Sequence, residues 1–168
     1  MYHETMAMFA GYNRWSNERL YAAAGTLSDE EFRADRGVFF RSMQGTLNHI
    51  LAADRIWMRR FTGSGDAPTQ LDAILHDDFD ALAAARRAED ARIADWVGSL
   101  TEAGLEATFS YSPISTPQAI TQTLAPALLH FFNHQTHHRG QAHAILTGFG
   151  REAPSFDLIS FQRETAAG

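Results

Sequence analysis

The chain has 168 residues, of which 45% are hydrophobic and 20% charged, and this length and composition fit one folded domain and exclude a disordered chain. The net charge of −6 provides no general electrostatic attraction to nucleic acid or to an anionic membrane surface. Because the chain has no cysteine, disulfides, thiolate zinc sites and a cysteine nucleophile are all excluded.

No stretch of the chain approaches the roughly 20 apolar residues that a membrane span needs. Between Met1 and Arg14 there is no basic region followed by an apolar run, as a secretory signal would require. No linker, internal repeat or low-complexity segment divides the chain. We therefore expect one cytoplasmic domain over residues 1–168, with a small-molecule substrate and with neither nucleic acid nor a membrane as partner.

Four long segments carry apolar residues at the three- and four-residue spacing of amphipathic helices. In chain order, the predicted helices run from His3 to Ala24, from Ser42 to Gly63, from Leu71 or His76 to Leu100, and from Leu124 to Thr147. Ser42 and Thr123 are suitable N-cap residues, and glycines follow three of the four segments. Four helices of this length predict an all-α fold, a four-helix bundle.

The hydrophobic period changes between Gly104 and Gln122. Apolar and polar residues alternate from Leu105 to Ser112, which is typical of a half-buried strand, and a second short strand is expected near Ile120. Pro113 and Pro117 mark turns in this region. We expect a short β-hairpin inserted before the last helix. The tail from residue 151 to 168 is too apolar to be free, and we expect it to pack back on the bundle.

Histidines are concentrated in the last predicted helix, where five of the eight fall between His130 and His143. With His130 set to zero on a helical wheel, His134 lies at roughly 40° and His138 at roughly 80°, close to the core-facing direction at roughly 100°. Two imidazoles four residues apart on one face of a helix can share one metal ion.

A third ligand is expected from a facing helix, and His49 in the second predicted helix is the candidate. His3, near the terminus, and His76, in an acidic stretch, are weaker candidates. A buried hydrogen-bonded network of histidines is the alternative to a metal site, because either arrangement would satisfy polar rings on a core-facing helix.

The segment Asn133–Gln141, with the sequence NHQTHHRGQ, resembles the H-x-x-x-H-R-G-Q signature of the DinB/YfiT-like superfamily. Three further segments are similar to motifs of that family, in the same order along the chain: residues 12–20 (YNRWSNERL), 46–57 (TLNHILAADRIW) and 154–158 (PSFDL). The resemblance therefore extends over nearly the whole chain.

The resemblance implies a four-helix bundle in which His49, His134 and His138 bind one divalent metal ion. Neutral imidazoles suit Zn, Ni, Cu or Fe, and of these we expect Zn or Ni. Many members of the family are homodimers. Characterised relatives include enzymes that use a metal-activated low-molecular-weight thiol, so the expected function is a metal-dependent enzyme that activates a thiol or a water molecule, of the thiol S-transferase or hydrolase type. The alternative is a non-catalytic metal-binding or stress-response protein.

Three other polar residues are assigned roles. Gln141, at about 20° on the wheel, is expected to hydrogen-bond a metal ligand. Arg139, at roughly 180°, is expected to form a structural ion pair away from the metal. The last helix contains no Asp or Glu, so a catalytic carboxylate has to come from elsewhere, with Asp54 as the candidate.

The outward side of the last helix predicts a homodimer. Between Leu124 and Gly150 the only charged residue is Arg139, and a helix without a charged face is usually buried most of the way round. Small or neutral residues occupy the outward side: Leu129, Asn133, Thr136, Gly140, His143, Ala144 and Thr147. The alternative is that the tail or the hairpin covers this side within one chain.

Overall fold

The computed structural model describes residues 2–113 and 118–166. In chain order these residues form α1 (Tyr2–Ala24), α2 (Asp29–Arg33), α3 (Met43–Thr62), α4 (Phe79–Gly98), α5 (Glu102–Glu106), β1 (Thr108–Tyr111), β2 (Ile120–Thr123), α6 (Leu124–Gly148) and α7 (Leu158–Ala166). The four long helices pack as a bundle in which α1 and α3 each lie against both α4 and α6. The predicted four-helix bundle is confirmed. None of the described helices is both long and apolar enough to cross a membrane.

The ends of α3 follow from local chemistry, whereas the start of α4 also depends on a long-range contact. The Ser42 side chain accepts a hydrogen bond from the backbone of Gly45, and Gly63 ends α3 in the left-handed conformation at φ 71°.

Helix α4 begins at residue 79, later than the sequence predicts. The reason is Asn48, whose amide oxygen accepts from two backbone N–H groups of the preceding segment, at residues 75 and 76, and holds that segment against α3.

The predicted hairpin before the last helix is confirmed as an antiparallel pair of β1 and β2, with Thr108 opposite Thr123 and Tyr111 opposite Ile120. The strand begins later than the alternation suggests, because Leu105 belongs to the short helix α5, which Thr101 caps. Leu105 is fully buried, so its place in the apolar pattern reflects helix packing. Of the two predicted turn residues, Pro117 lies outside the described residues.

A buried polar layer divides the core of the bundle into two apolar clusters. One cluster contains Leu20, Leu51, Leu82 and Ala142, and the other contains Met6, Trp57, Ile93 and Phe131. The layer between them, which we call the polar layer, consists of Asn13, Asn17, Asp54, Arg86, Asp90, Gln135 and Arg139, all buried. Each long helix contributes to the layer at the position along its axis where its apolar pattern is interrupted.

The tail packs back on the bundle as expected. Phe161 of α7 is buried against the rings of Tyr12 and Trp15, with centroids 5.9 and 5.8 Å away. Gly11 permits this contact, since a Cβ at that position would lie 3.2 Å from the Phe161 ring. An ion pair between Arg19 and Glu164 (2.9 Å) further ties α7 to α1.

Candidate metal centre

Three histidines from two helices converge beside the polar layer. His49 of α3 and His134 and His138 of α6 point their Nε2 atoms toward one another. The three Nε2 separations are 3.4 Å (His49 to His134), 3.2 Å (His49 to His138) and 3.1 Å (His134 to His138). In the described part of the chain, this is the one group of three or more His, Asp or Glu side chains with ligand atoms close enough to share a metal ion.

These separations suit three nitrogen ligands that share one metal ion. Nitrogen ligands of a tetrahedral Zn²⁺, at about 2.0–2.1 Å from the ion, lie about 3.3 Å from one another, whereas the 90° angles of octahedral geometry bring them to about 2.9 Å. The observed triangle, with edges of 3.1–3.4 Å, is closer to the tetrahedral value. The three histidines could therefore hold a metal ion and leave a fourth position open.

The Nδ1 atom of His49 determines how its ring is presented. It lies 2.6 Å from the carbonyl oxygen of Leu71, and because a carbonyl only accepts, Nδ1 carries the proton. The Nε2 atom is then left with its lone pair, as a metal ligand requires. Phe40 stacks on the same ring with centroids 3.7 Å apart and planes 15° from parallel, so the His49 ring is held from two sides.

Gln141 orients the ring of His138 in the same way, through its Nδ1 atom. Its side-chain oxygen lies 2.9 Å from Nδ1 of His138, one helical turn away on α6. An amide oxygen that accepts from Nδ1 leaves Nε2 free to bind. The expected contact between Gln141 and a candidate ligand is thus present.

Burial keeps the three imidazoles neutral. Desolvation, with a smaller contribution from the neighbouring His138, lowers the pKa of His49 to about 4 and the pKa of His134 to about 3. Desolvation also lowers the pKa of His138, against the opposing hydrogen bond from Gln141. Neutral imidazole is the form that binds metal, so the site is ready for a cation at neutral pH.

The structure places the candidate carboxylate Asp54 elsewhere. Asp54 is buried in the polar layer, and its Oδ2 lies 2.6 Å from Nη1 of Arg86. The acidic residue whose charge acts on the cluster is instead Asp72, which raises the pKa of His49. Asp72 lies in the segment between α3 and α4. Helical periodicity gives no indication that a residue of this segment approaches His49.

Arg139 lies off the cluster, as the helical wheel predicts, but its partners differ from the expected ion pair. Its guanidinium donates to the side-chain oxygens of Asn13 (2.5 Å) and Thr136 (3.1 Å). The contact with Asn13 holds α6 against α1 inside the polar layer. The remaining histidines of α6 lie outside the ligand group, although the His130 ring is 6.0 Å from the His134 ring.

Comparisons with known proteins agree with the observed fold. The model of the DinB family matches residues 1–167. A relative from Bacillus subtilis (strain 168), named Protein DinB, is 23% identical in an alignment of 171 positions that covers 92% of each chain. The crystal structure of a DinB-like protein from Bacillus cereus ATCC 10987 superimposes with a TM-score of 0.64 at 17% identity, over 84% of this chain and 90% of the other. The structural likeness supports the same fold.

Proposed function

Because the chain belongs to the DinB family, we propose that it is a metal-dependent enzyme whose divalent ion binds His49, His134 and His138. The observation that carries the proposal is the triangle of Nε2 atoms with edges of 3.1–3.4 Å. Two of the three rings have their other nitrogen engaged by an oxygen that orients them. Zn²⁺ is the proposed ion, since the separations are close to tetrahedral.

Bound at three neutral imidazoles, a divalent ion lowers the pKa of water or a thiol in its open position and so supplies a nucleophile at neutral pH. The chain's own residues hold and shield that position. Phe40 covers His49 and also approaches the His138 ring edge-on, with centroids 5.5 Å apart, which excludes water from that side of the cluster.

A thiol substrate is favoured over water by the lack of a carboxylate among the ligands. In the described residues no Asp or Glu belongs to the ligand group, and Asp54 forms an ion pair with Arg86. Hydrolysis needs a group that accepts a proton from water, whereas a thiol of pKa about 8.5 loses its proton readily beside a cation. Because the chain has no cysteine, the thiol would be a separate low-molecular-weight molecule.

The experiment compares zinc-loaded protein with protein stripped by a chelator, across a panel of thiol-conjugation reactions and of ester and amide substrates. We expect thiol conjugation by the loaded protein, loss of that activity on stripping, and its return when Zn²⁺ is restored. Activity that survives complete removal of metal contradicts the proposed mechanism. Inactivity of the loaded protein across the panel would instead favour the second candidate, a non-catalytic metal-binding protein, which the lack of a carboxylate in the ligand group also fits.

We propose further that the protein is a homodimer that packs through α6. Arg139, the single charged residue of α6, is buried, so the exposed surface of this 25-residue helix carries no formal charge. The tail covers one edge of the outward side, where Phe156 contacts His143 with centroids 5.8 Å apart. Most of the outward side stays exposed, including Leu129, whose exposed fraction is 43%. A Cβ at Gly140 would meet nothing within 4 Å in the monomer, so its small size suits close approach by another copy.

Gly140→Glu is expected to convert the dimer to a monomer, since it places a charge and about five additional heavy atoms in the proposed interface. Light scattering measures the change. The matched control is Gly98→Glu at the end of α4, where a Cβ likewise meets nothing within 4 Å, and this variant should remain dimeric. A monomeric wild type would refute the dimer, and a dimeric Gly140→Glu variant would exclude this face as the interface.

A further inference from the structure

A groove lies between the last turn of α3, the segment that follows it and strand β1. Its volume is about 710 Å³, and its lining includes Arg59, Arg60, Pro68, Tyr111 and Ser112. The described residues that line it include two arginines and no carboxylate. The groove is therefore positive in a chain whose overall net charge is −6.

Arg60 distinguishes this groove from an ordinary helix end. Arginines in the last turn commonly offset the helix dipole, and Arg59 does so by donating to the carbonyl of Gly65 (3.3 Å). Arg60 instead has its guanidinium carbon over two aromatic rings, 4.6 Å from the centroid of Trp57 and 4.8 Å from that of Tyr111. Within the described residues its guanidinium has no hydrogen bond or ion pair, and desolvation lowers its pKa.

An aromatic wall joins Arg60 to the candidate metal centre. The Trp57 ring, under Arg60, lies 5.3 Å from the ring of His130, and the His130 ring lies 6.0 Å from that of His134. His130 is exposed, and Phe40 covers the ring of His49. These ring contacts connect the residues beside the groove to the histidine cluster.

We propose that this groove binds the carboxylate of the substrate, with Arg60 as the residue that recognises it and the ring of Tyr111, which lines the groove, in contact with its apolar part. The inference rests on the proposed function, since the other end of that substrate would lie at the metal. The N–H groups of the Arg60 guanidinium, which have no partner in the described residues, match the two oxygens of a carboxylate.

A singly charged group fits the groove better than a phosphate dianion. The groove lies at the C-terminal end of α3, where the helix dipole is negative and opposes additional anionic charge. Of the two arginines, Arg59 is exposed and already bonded to a backbone carbonyl, so one guanidinium remains to compensate the ligand.

The test measures binding of 3-phenylpropionate and of its uncharged amide to metal-free protein by isothermal titration calorimetry. Metal is removed because a carboxylate could otherwise bind the ion directly, and because the groove is then tested independently of the metal site. We expect the acid to bind about ten-fold more tightly than the amide in the wild type, and Arg60→Gln to reduce this preference to within about two-fold.

Arg163→Gln on α7 is the matched control, because Arg163 is exposed, lies on another element and loses the same charge. This variant should keep the full preference. Arg60→Lys should keep part of the preference for the acid, since it retains the charge but lacks the planar guanidinium. This variant replaces Arg60→Gln in the test if Arg60→Gln fails to fold. The proposal is overturned if the wild type binds acid and amide equally, or if Arg60→Gln and Arg163→Gln lose the preference for the acid to the same extent. It is also overturned if the wild type binds phenyl phosphate more tightly than 3-phenylpropionate.

Discussion

Replacing Arg86 with methionine is expected to lower the free energy of unfolding by about 3–5 kcal/mol, because removal of one partner leaves buried charge uncompensated. Arg86 is 1% exposed, and its guanidinium lies 2.6 Å from Asp54 and 3.0 Å from Asp90. Methionine preserves much of the volume of the side chain and removes the cation that both carboxylates share. Urea unfolding monitored by circular dichroism measures the loss.

Arg87→Met is the control for Arg86→Met. Arg87 is the next residue of the same helix and is exposed, so its replacement should change stability by no more than about 0.5 kcal/mol. If the two variants unfold at the same urea concentration, the charge of Arg86 does not stabilise the fold, and the prediction for the polar layer is wrong.

The loss in Arg86→Met should also depend on pH. Burial raises the pKa of Asp54 to about 7, and Arg86 acts in the opposite direction, so the pKa rises further when Arg86 is removed. A carboxyl whose pKa is higher in the folded than in the unfolded state stabilises the fold at low pH and loses that contribution as pH rises through the folded value. We therefore expect Arg86→Met to be less destabilised at pH 5 than at pH 8. An equal loss at the two values would show that Asp54 does not take up the proton.

Zinc is expected to stabilise the wild-type protein strongly. A free Zn²⁺ concentration of 100 times Kd stabilises the folded state by about 2.7 kcal/mol, which for a chain of this size raises Tm by about 5–10 °C. His138→Ala removes one of three ligands and should weaken binding by at least about 100-fold, so that the same zinc concentration raises Tm by only about 1 °C. Calorimetric scans with and without zinc measure the increment.

The zinc-dependent increment separates metal binding from general damage, since each variant is compared with itself. His143→Ala is the control, because His143 lies on the same helix but contacts Phe156 of the tail and does not belong to the ligand group. It should retain the full increment. If zinc raises the Tm of His138→Ala as much as that of the wild type, His138 is not a metal ligand.

The sequence predicts the bundle well because helix formation here depends on local signals. The ends of α3 follow from Ser42 and Gly63, which act within one turn of themselves. The start of α4 was placed too early because it depends on Asn48, whose side chain holds a segment 27 residues further along the chain. Hydrophobic periodicity contains no information about such a long-range contact.

The same distinction applies to the candidate site. His134 and His138 could be identified from sequence, because four residues of helix fix their relative positions. The contacts that orient and cover the cluster come from connecting segments: the Leu71 carbonyl, the Phe40 ring and the charge of Asp72. Asp54 was a poor candidate for catalysis because its partner Arg86 lies 32 residues away on another helix, and the sequence alone does not bring them together.

The most direct test of the three-histidine metal centre is anomalous diffraction at the zinc absorption edge from crystals of the zinc-loaded protein. We predict one strong anomalous peak per chain, at about 2.0–2.1 Å from the Nε2 atoms of His49, His134 and His138. A peak bound by other residues, or density at the three histidines with no anomalous signal at the edge of any metal supplied, would contradict the assignment.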